Sequence, residues 1–223
     1  MIRQPVLLAL TMLMSIALLS PSFADDKKKD DGGKKSEATK KDDGKKAAAK
    51  KTREVKLRDL VLNVPEAWKQ KKPSSRLRLG HFDIPAAKED KEVGELGIFN
   101  FGGGGGGVRA NAERWIGQFE SKGRKVTLRS SKSKSGEYVI VDVTGTYNKP
   151  IGPPIRRQTK RTANTRMLGV ILALTVGDER KGTYFLKLTG PKDTITAAAN
   201  DLRASFGAKE KGEEEFDLEV REK

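Results

Sequence analysis

Apolar residues change their spacing several times along this chain, and each change predicts an element. Residues 60–64 (LVLNV) alternate apolar and polar and stop at Pro65, which predicts a strand. Residues 76–84 (RLRLGHFDI) alternate charged and apolar side chains, a second strand with one wet face. Residues 94–101 (GELGIFNF) predict a third. The period then switches. Val108, Ala112, Trp115, Ile116 and Phe119 share one face of a helix over 108–121. Residues 125–128 and 138–144 (YVIVDVT) return to strands. Residues 167–174 (MLGVILAL) predict a central strand, and Gly177-Asp178 marks the turn before a last strand at 183–188 (TYFLKL). A second helix is expected over 193–205, with Ile195, Ala198, Leu202 and Phe206 at helical spacing and Pro191 just before it. The order β-β-β-α-β-β-β-β-α leaves no room for repeated βαβ crossovers. It predicts an α+β fold: a mostly antiparallel β-sheet flanked by two main amphipathic helices covering one or both faces.

The two ends of the chain follow other patterns. Residues 6–19 are an apolar run behind Arg3, broken by Pro21 and followed by Ser22-Phe23-Ala24. This is the layout of a secretory signal peptide over 1–24, with cleavage before Asp25. The run is shorter than the roughly 20 residues of a membrane-spanning helix. No Cys follows it, so a lipoprotein anchor is not expected. Residues 25–53 hold 12 Lys/Arg and 7 Asp/Glu with no large apolar residue, including the imperfect repeat KKDDGGKK and KKDDGKK. Such a segment buries too little surface to offset its ordering entropy and reads as a disordered linker, either a solvated spacer or a polycationic tether. The domain is expected at 54–207, followed by an acidic tail over 208–223. Within that tail FDLEV (216–220) alternates like an edge strand, expected to extend the sheet or to dock on and mask a basic face.

Composition narrows the chemistry. The 223 residues carry 45 Lys+Arg against 30 Asp+Glu, a net charge of +15, with one His and no Cys. Thiolate metal sites, disulfides and Cys nucleophiles are excluded, as are multi-histidine zinc sites. No cofactor is implied. Nucleic acid is not expected as a partner, because no recognition motif appears and export would remove it.

Two stretches carry a family resemblance. LNVPEAW (62–68) opens the domain with a strand, a proline and Trp68. FLKLTGP (185–191) leads into the closing helix. Together they resemble the PsbP-like fold, an α-β-α sandwich around an antiparallel sheet, and the Trp115-centred helix after a glycine-rich turn is similar to exported bacterial proteins of that type. The resemblance implies a binding or assembly module rather than one reaction, and it transfers no ligand-binding residue.

Several residues are candidates for chemistry. Gly102 to Gly107 lies between a strand and a helix, the layout of a phosphate cradle. The run ends Gly-Val-Arg, not Gly-Lys-Ser/Thr, so a nucleotide site is not supported, and the stretch reads as a connector or an anion site with Arg109. His81 has no nucleophile motif near it and reads as structural. Acidic clusters at 89–92 and 213–215 read as solvated. Trp68 and Trp115 read as core residues. The basic segments carry the stronger signal. Residues 147–166 hold six Lys/Arg, three prolines and no acid, residues 121–134 hold six Lys/Arg and no acid, and residues 68–78 add five. A convergent set would bind polyanions. The expected contacts are Arg156, Arg157, Lys160 and Arg161 in a long basic loop, with Arg109, Lys122, Arg124 and Lys125 beside it.

The expected function is an exported, non-catalytic binding or scaffolding domain, periplasmic or otherwise in the cell envelope. Its expected partner is an anionic envelope polymer or an acidic protein. The competing expectation is a protein–protein assembly subunit that uses a pocket or a sheet face. An enzyme of unrecognised type stands third.

Overall fold

The computed structural model describes residues 50–218, apart from 74, 104, 153 and 157. The signal peptide, nearly all of the linker, Arg157 and the last five tail positions lie outside the described residues. The fold is α+β. Ten strands pair antiparallel throughout, with two α-helices. Strands β1 (Thr52–Leu57) and β2 (Leu60–Pro65) form a hairpin of their own. The other strands are β3 (Lys69–Gln70), β4 (Arg78–Ile84), β5 (Gly94–Phe99), β6 (Lys125–Ser133), β7 (Gly136–Pro150), β8 (Thr159–Val176), β9 (Glu179–Pro191) and β10 (Glu214–Glu215). They make one eight-stranded sheet in the order β10-β6-β7-β8-β9-β5-β4-β3. Helix α1 (Val108–Ile116) contacts β7 and β8, and α2 (Lys192–Ser205) contacts β2, β8 and β9.

Alternation along the central strands builds two cores, one on each face. Leu168, Val170 and Leu172 face α2 and the β1–β2 hairpin, together with Leu186, Leu188 and Phe206. Met167 and Ile171 face α1, together with Val141, Val143 and Phe185. The run at 167–174 is therefore apolar on both sides because helices cover both sides. Trp115 is buried against the sheet, and Gly169 lets it approach: a Cβ there would lie 2.3 Å from the indole ring. Trp68 is also in the core, on the α2 side.

Several elements differ from the sequence expectation. Strand β1 begins at Thr52, two residues before the expected domain start. Helix α1 ends at Ile116 rather than near 121, where Gly117 N–H bonds the Glu113 carbonyl. Phe119 still reaches the core, but through a bridge to Tyr147 in β7. The largest difference is the basic stretch 147–166, expected as an unstructured loop. Most of it is strand. Tyr147↔Thr162, Asn148↔Arg161, Lys149↔Lys160 and Pro150↔Thr159 extend the β7–β8 ladder past a bulge at Gly145, and only a short tip containing the 3-10 turn Pro154–Arg156 is outside the ladder.

The acidic tail adds to the sheet, two residues earlier than its alternation suggests. Glu214 pairs with Ser130 and Glu215 with Arg129 on β6, and Phe216 N–H continues to the Leu128 carbonyl. The anchor is Glu213. Its carboxylate accepts from Arg203 Nε (2.7 Å) and Nη2 (2.9 Å), and from the Tyr138 hydroxyl (3.2 Å). The Arg203 and Glu213 side chains are only 5% and 0% exposed. Removing one partner of such a pair strands a buried charge and costs about 3–5 kcal/mol. Glu213→Ala is therefore expected to lose stability of that size in urea unfolding. Glu210→Ala, which loses an exposed pair with Arg129 at 3.6 Å, is expected to leave the midpoint nearly unchanged.

Candidate binding surface

The β7–β8 ladder outruns its neighbours. β6 leaves β7 at Lys125↔Thr144, and β9 leaves β8 at Thr165↔Pro191. Beyond these points β7 and β8 continue as a two-stranded ribbon, closed near its tip by Ile151 N–H bonding the Gln158 carbonyl at 2.9 Å. Four ladder pairs at about 3.3 Å per residue carry it roughly 13 Å before the tip begins.

The exit from α1 braces the root of this ribbon. Asn148 N–H bonds the Gln118 carbonyl (2.8 Å), and Glu120 N–H bonds the Thr146 carbonyl (2.9 Å). Lys187 Nζ donates to Gln118 Oε1 (2.5 Å) and to the Tyr147 hydroxyl (3.1 Å). The Phe119 ring packs on Tyr147 with centroids 5.0 Å apart.

The predicted cations divide into committed and available groups. Arg161 makes a bidentate pair with Glu120, Nη2 to Oε2 at 2.8 Å, and this hydrogen bond holds Glu120 below its usual pKa. Arg124 donates to the Ile116 and Phe119 carbonyls, both at 3.2 Å, and so caps the chain leaving α1. Lys149, Arg156 and Lys160 are exposed on the ribbon and form no ion pair with a described residue. Lys122 and Lys125 are exposed at its root. Arg109 stands apart, at the opposite end of the nine-residue α1, where it bonds the Leu218 carbonyl at 2.9 Å. Of the basic segment 68–78, Lys69 lies on the edge strand β3 and Lys71 pairs with Asp83, while Arg78 on β4 pairs with Glu95 and acts electrostatically on Tyr147 and Lys187 at the root.

Sequence reasoning counted Arg166 in the basic stretch without singling it out, and it missed Lys187 and Lys192. Arg166 is fixed by Asp142, with Nη2 to Oδ2 at 2.7 Å, and by Thr196 Oγ1 at 2.8 Å. With Lys125 and Lys192 it borders a small cavity of about 210 Å³. A larger groove of about 740 Å³ opens on the α1 face. Val139, Ile171 and Ala173 form its floor, and Phe216 and Leu218 of the tail line it together with Arg109. The tail thus builds the groove wall. Two of its acids, Glu210 and Glu213, pair with Arg129 on β6 and Arg203 on α2.

The glycine run is a clamped connector. The Asn111 side chain, buried in the first turn of α1, donates toward the carbonyls of Gly105 (2.8 Å), Gly106 (3.2 Å) and Gly107 (2.8 Å). Gly105 packs so closely that a Cβ would lie 2.6 Å from the Phe185 ring. His81 is half-buried on β4, its Nε2 3.6 Å from Glu95 Oε1. Among the described residues, no cluster of three or more His, Asp or Glu side chains is placed to hold a metal ion, and no helix is long and apolar enough to cross a membrane. Comparison with protein-family models finds no match, and a search of curated proteins finds no matching relative.

The brace at the root titrates. Burial drives the Lys187 amine down to about 8 and the Tyr147 phenol up to about 12. In the unfolded chain these groups titrate near about 10.4 and 10. Between pH 8 and 10.4 the unfolded chain therefore holds a Lys187 proton that the native state lacks, so stability rises with pH. Between pH 10 and 12 the native state keeps a Tyr147 proton that the unfolded chain loses, so stability falls. Thermal unfolding across this range is expected to show a local maximum near pH 10, and Lys187→Met is expected to remove its rising limb. An unaltered rising limb in the variant would place its origin elsewhere.

Proposed function

We propose that this chain is an exported, non-catalytic binding domain that contacts an anionic envelope polymer or an acidic protein through its basic β-ribbon. The observation that carries the reading is the ribbon itself. It places Lys149, Arg156 and Lys160 on a braced projection whose sequence, from 147 to 166, contains no acid. Cations held together and clear of carboxylates add their fields at one surface instead of cancelling. Lys122 and Lys125 continue the field at the root, and the Lys-rich segment that precedes β1 adds further charge and reach. Of the committed cations, Arg161 and Arg124 set the ribbon and its root in place rather than supply free charge.

The PsbP-like reading of the architecture belongs to the same proposal. An antiparallel sheet between helices is what that resemblance implies, the eight-stranded sheet with α1 and α2 supports it, and it suits a module that binds rather than transforms. A second reading, an assembly subunit, is favoured by the groove on the α1 face. An extended segment of a partner would lie on Val139 and Ile171 beside the tail.

Salt separates the two readings. Each cation engaged by a linear polyanion contributes about 0.7 to 0.9 to the slope of log affinity against log salt concentration. Binding to polyphosphate is expected to weaken steeply with salt. The variant Lys149→Gln/Arg156→Gln/Lys160→Gln is expected to reduce that slope by about two to three. Equal slopes for wild type and variant would remove the ribbon from the site and leave the groove as the leading surface.

A further inference from the structure

The tip of the ribbon is not only basic. Ile155 is 90% exposed and Ile151 is 43% exposed, both within the segment that closes the ribbon. Lys149 and Lys160 face each other in the ladder immediately behind them, and Arg156 adjoins Ile155. The tip therefore carries an apolar apex with a collar of cations one to five residues away.

We propose that this tip docks the domain on an anionic lipid bilayer, with Ile151 and Ile155 entering the acyl boundary and Lys149, Arg156 and Lys160 lying at the headgroups. The inference rests on the reading of the ribbon as an anion-binding element and names its partner class. Three observations favour a bilayer over an acidic protein. The ribbon that carries the apex is only two strands wide, whereas a stable protein interface buries on the order of 1,000 Å² of matched surface. Ile151 and Ile155 lie beyond the Lys149↔Lys160 ladder pair, and Arg156 stands beside Ile155 in the turn. Isoleucines beyond lysines follow the order of depths in a bilayer, where apolar side chains reach the acyl region and basic ones stay at the anionic surface. Pro150, where the ladder ends, restricts the backbone entering the tip, so less freedom is lost when it inserts. Each Lys or Arg near an anionic leaflet adds roughly fivefold in affinity. Two partly inserted isoleucines add about tenfold or more together.

The experiment compares the wild type, as the chain from Asp25, with Ile151→Ser/Ile155→Ser. Each is mixed with vesicles of equimolar phosphatidylglycerol and phosphatidylcholine, with pure phosphatidylcholine vesicles, and with soluble polyphosphate. Both isoleucines are exposed, so the variant is expected to keep its unfolding temperature. The expected result is wild-type flotation with the anionic vesicles only, about tenfold or more weaker in the variant, with polyphosphate affinity equal in both. A Trp placed at the tip (Ile155→Trp) is expected to shift its emission to the blue with anionic vesicles. Equal vesicle binding by wild type and variant, or an unshifted Trp, overturns the docking. Binding of polyphosphate but not of vesicles overturns it too, leaves the anion-binding reading standing, and turns the tip toward a groove in an acidic protein. Failure to bind either polyphosphate or vesicles overturns both readings.

Discussion

The antiparallel register between β7 and β8 is the constraint on which the rest of the molecule depends. It runs from Gly136↔Leu174 to Pro150↔Thr159, with one shift at Gly145. Because side chains alternate, that register decides which residues reach which face. It sends Tyr138, Ile140 and Leu172 toward α2, and Val141, Val143 and Ile171 toward α1. A slip by one residue would exchange the two cores. The same ladder, continued past the ends of β6 and β9, becomes the ribbon. Core and proposed binding surface are thus one structural element, and the ribbon inherits its direction from the sheet.

What surrounds that element follows from what it leaves uncovered. The β1–β2 hairpin and α2 close one face with Leu60, Leu62, Ile195 and Leu202. On the other face α1 is short and covers the Trp115 side, which leaves the groove over Val139 and Ile171 to be walled by the tail. The tail holds its place through Arg203 and Glu213, a buried pair between α2 and the start of β10. The root of the ribbon is held by Gln118, Tyr147 and Lys187. Each brace ties a peripheral segment to the central strands through polar groups that burial makes specific in geometry.

The sequence pattern made much of this legible, for identifiable reasons. LVLNV, a strand with one dry face, alternates visibly, TYFLKL reads as a strand from its aromatic and apolar run, and MLGVILAL marks the doubly covered centre. Beyond Tyr147 the ribbon was not legible because both its faces are wet. Without an apolar stripe, strands with two wet faces look like loops, and the prolines reinforce that impression. β1 was hidden by the charge run that precedes it, although Val55 and Leu57 alternate. Strands β3 and β10 are two residues long, below the length at which any period registers. The candidate cations were visible as a set, but their division was not. Arg161 meets Glu120 from 41 positions away, and Arg109 meets the Leu218 carbonyl from 109 away. Lys187 gave no signal at all, since a lysine in an alternating strand ordinarily points to water, and here the exit from α1 covers it.

The account holds that the ribbon is a separable binding projection on an independently stable sheet. The most direct measurement replaces residues 150–159 by Asn-Gly, a type I′ turn that closes the ladder at the hydrogen-bonded 149↔160 pair and keeps the Tyr147 brace, with Lys149→Gln and Lys160→Gln in the same chain. Thermal unfolding and polyphosphate affinity at low salt are then compared with those of the intact chain. The account predicts an unfolding temperature within about 5 °C of the original and an affinity reduced by about tenfold or more. An unchanged affinity would contradict it and assign the binding charge to another part of the chain.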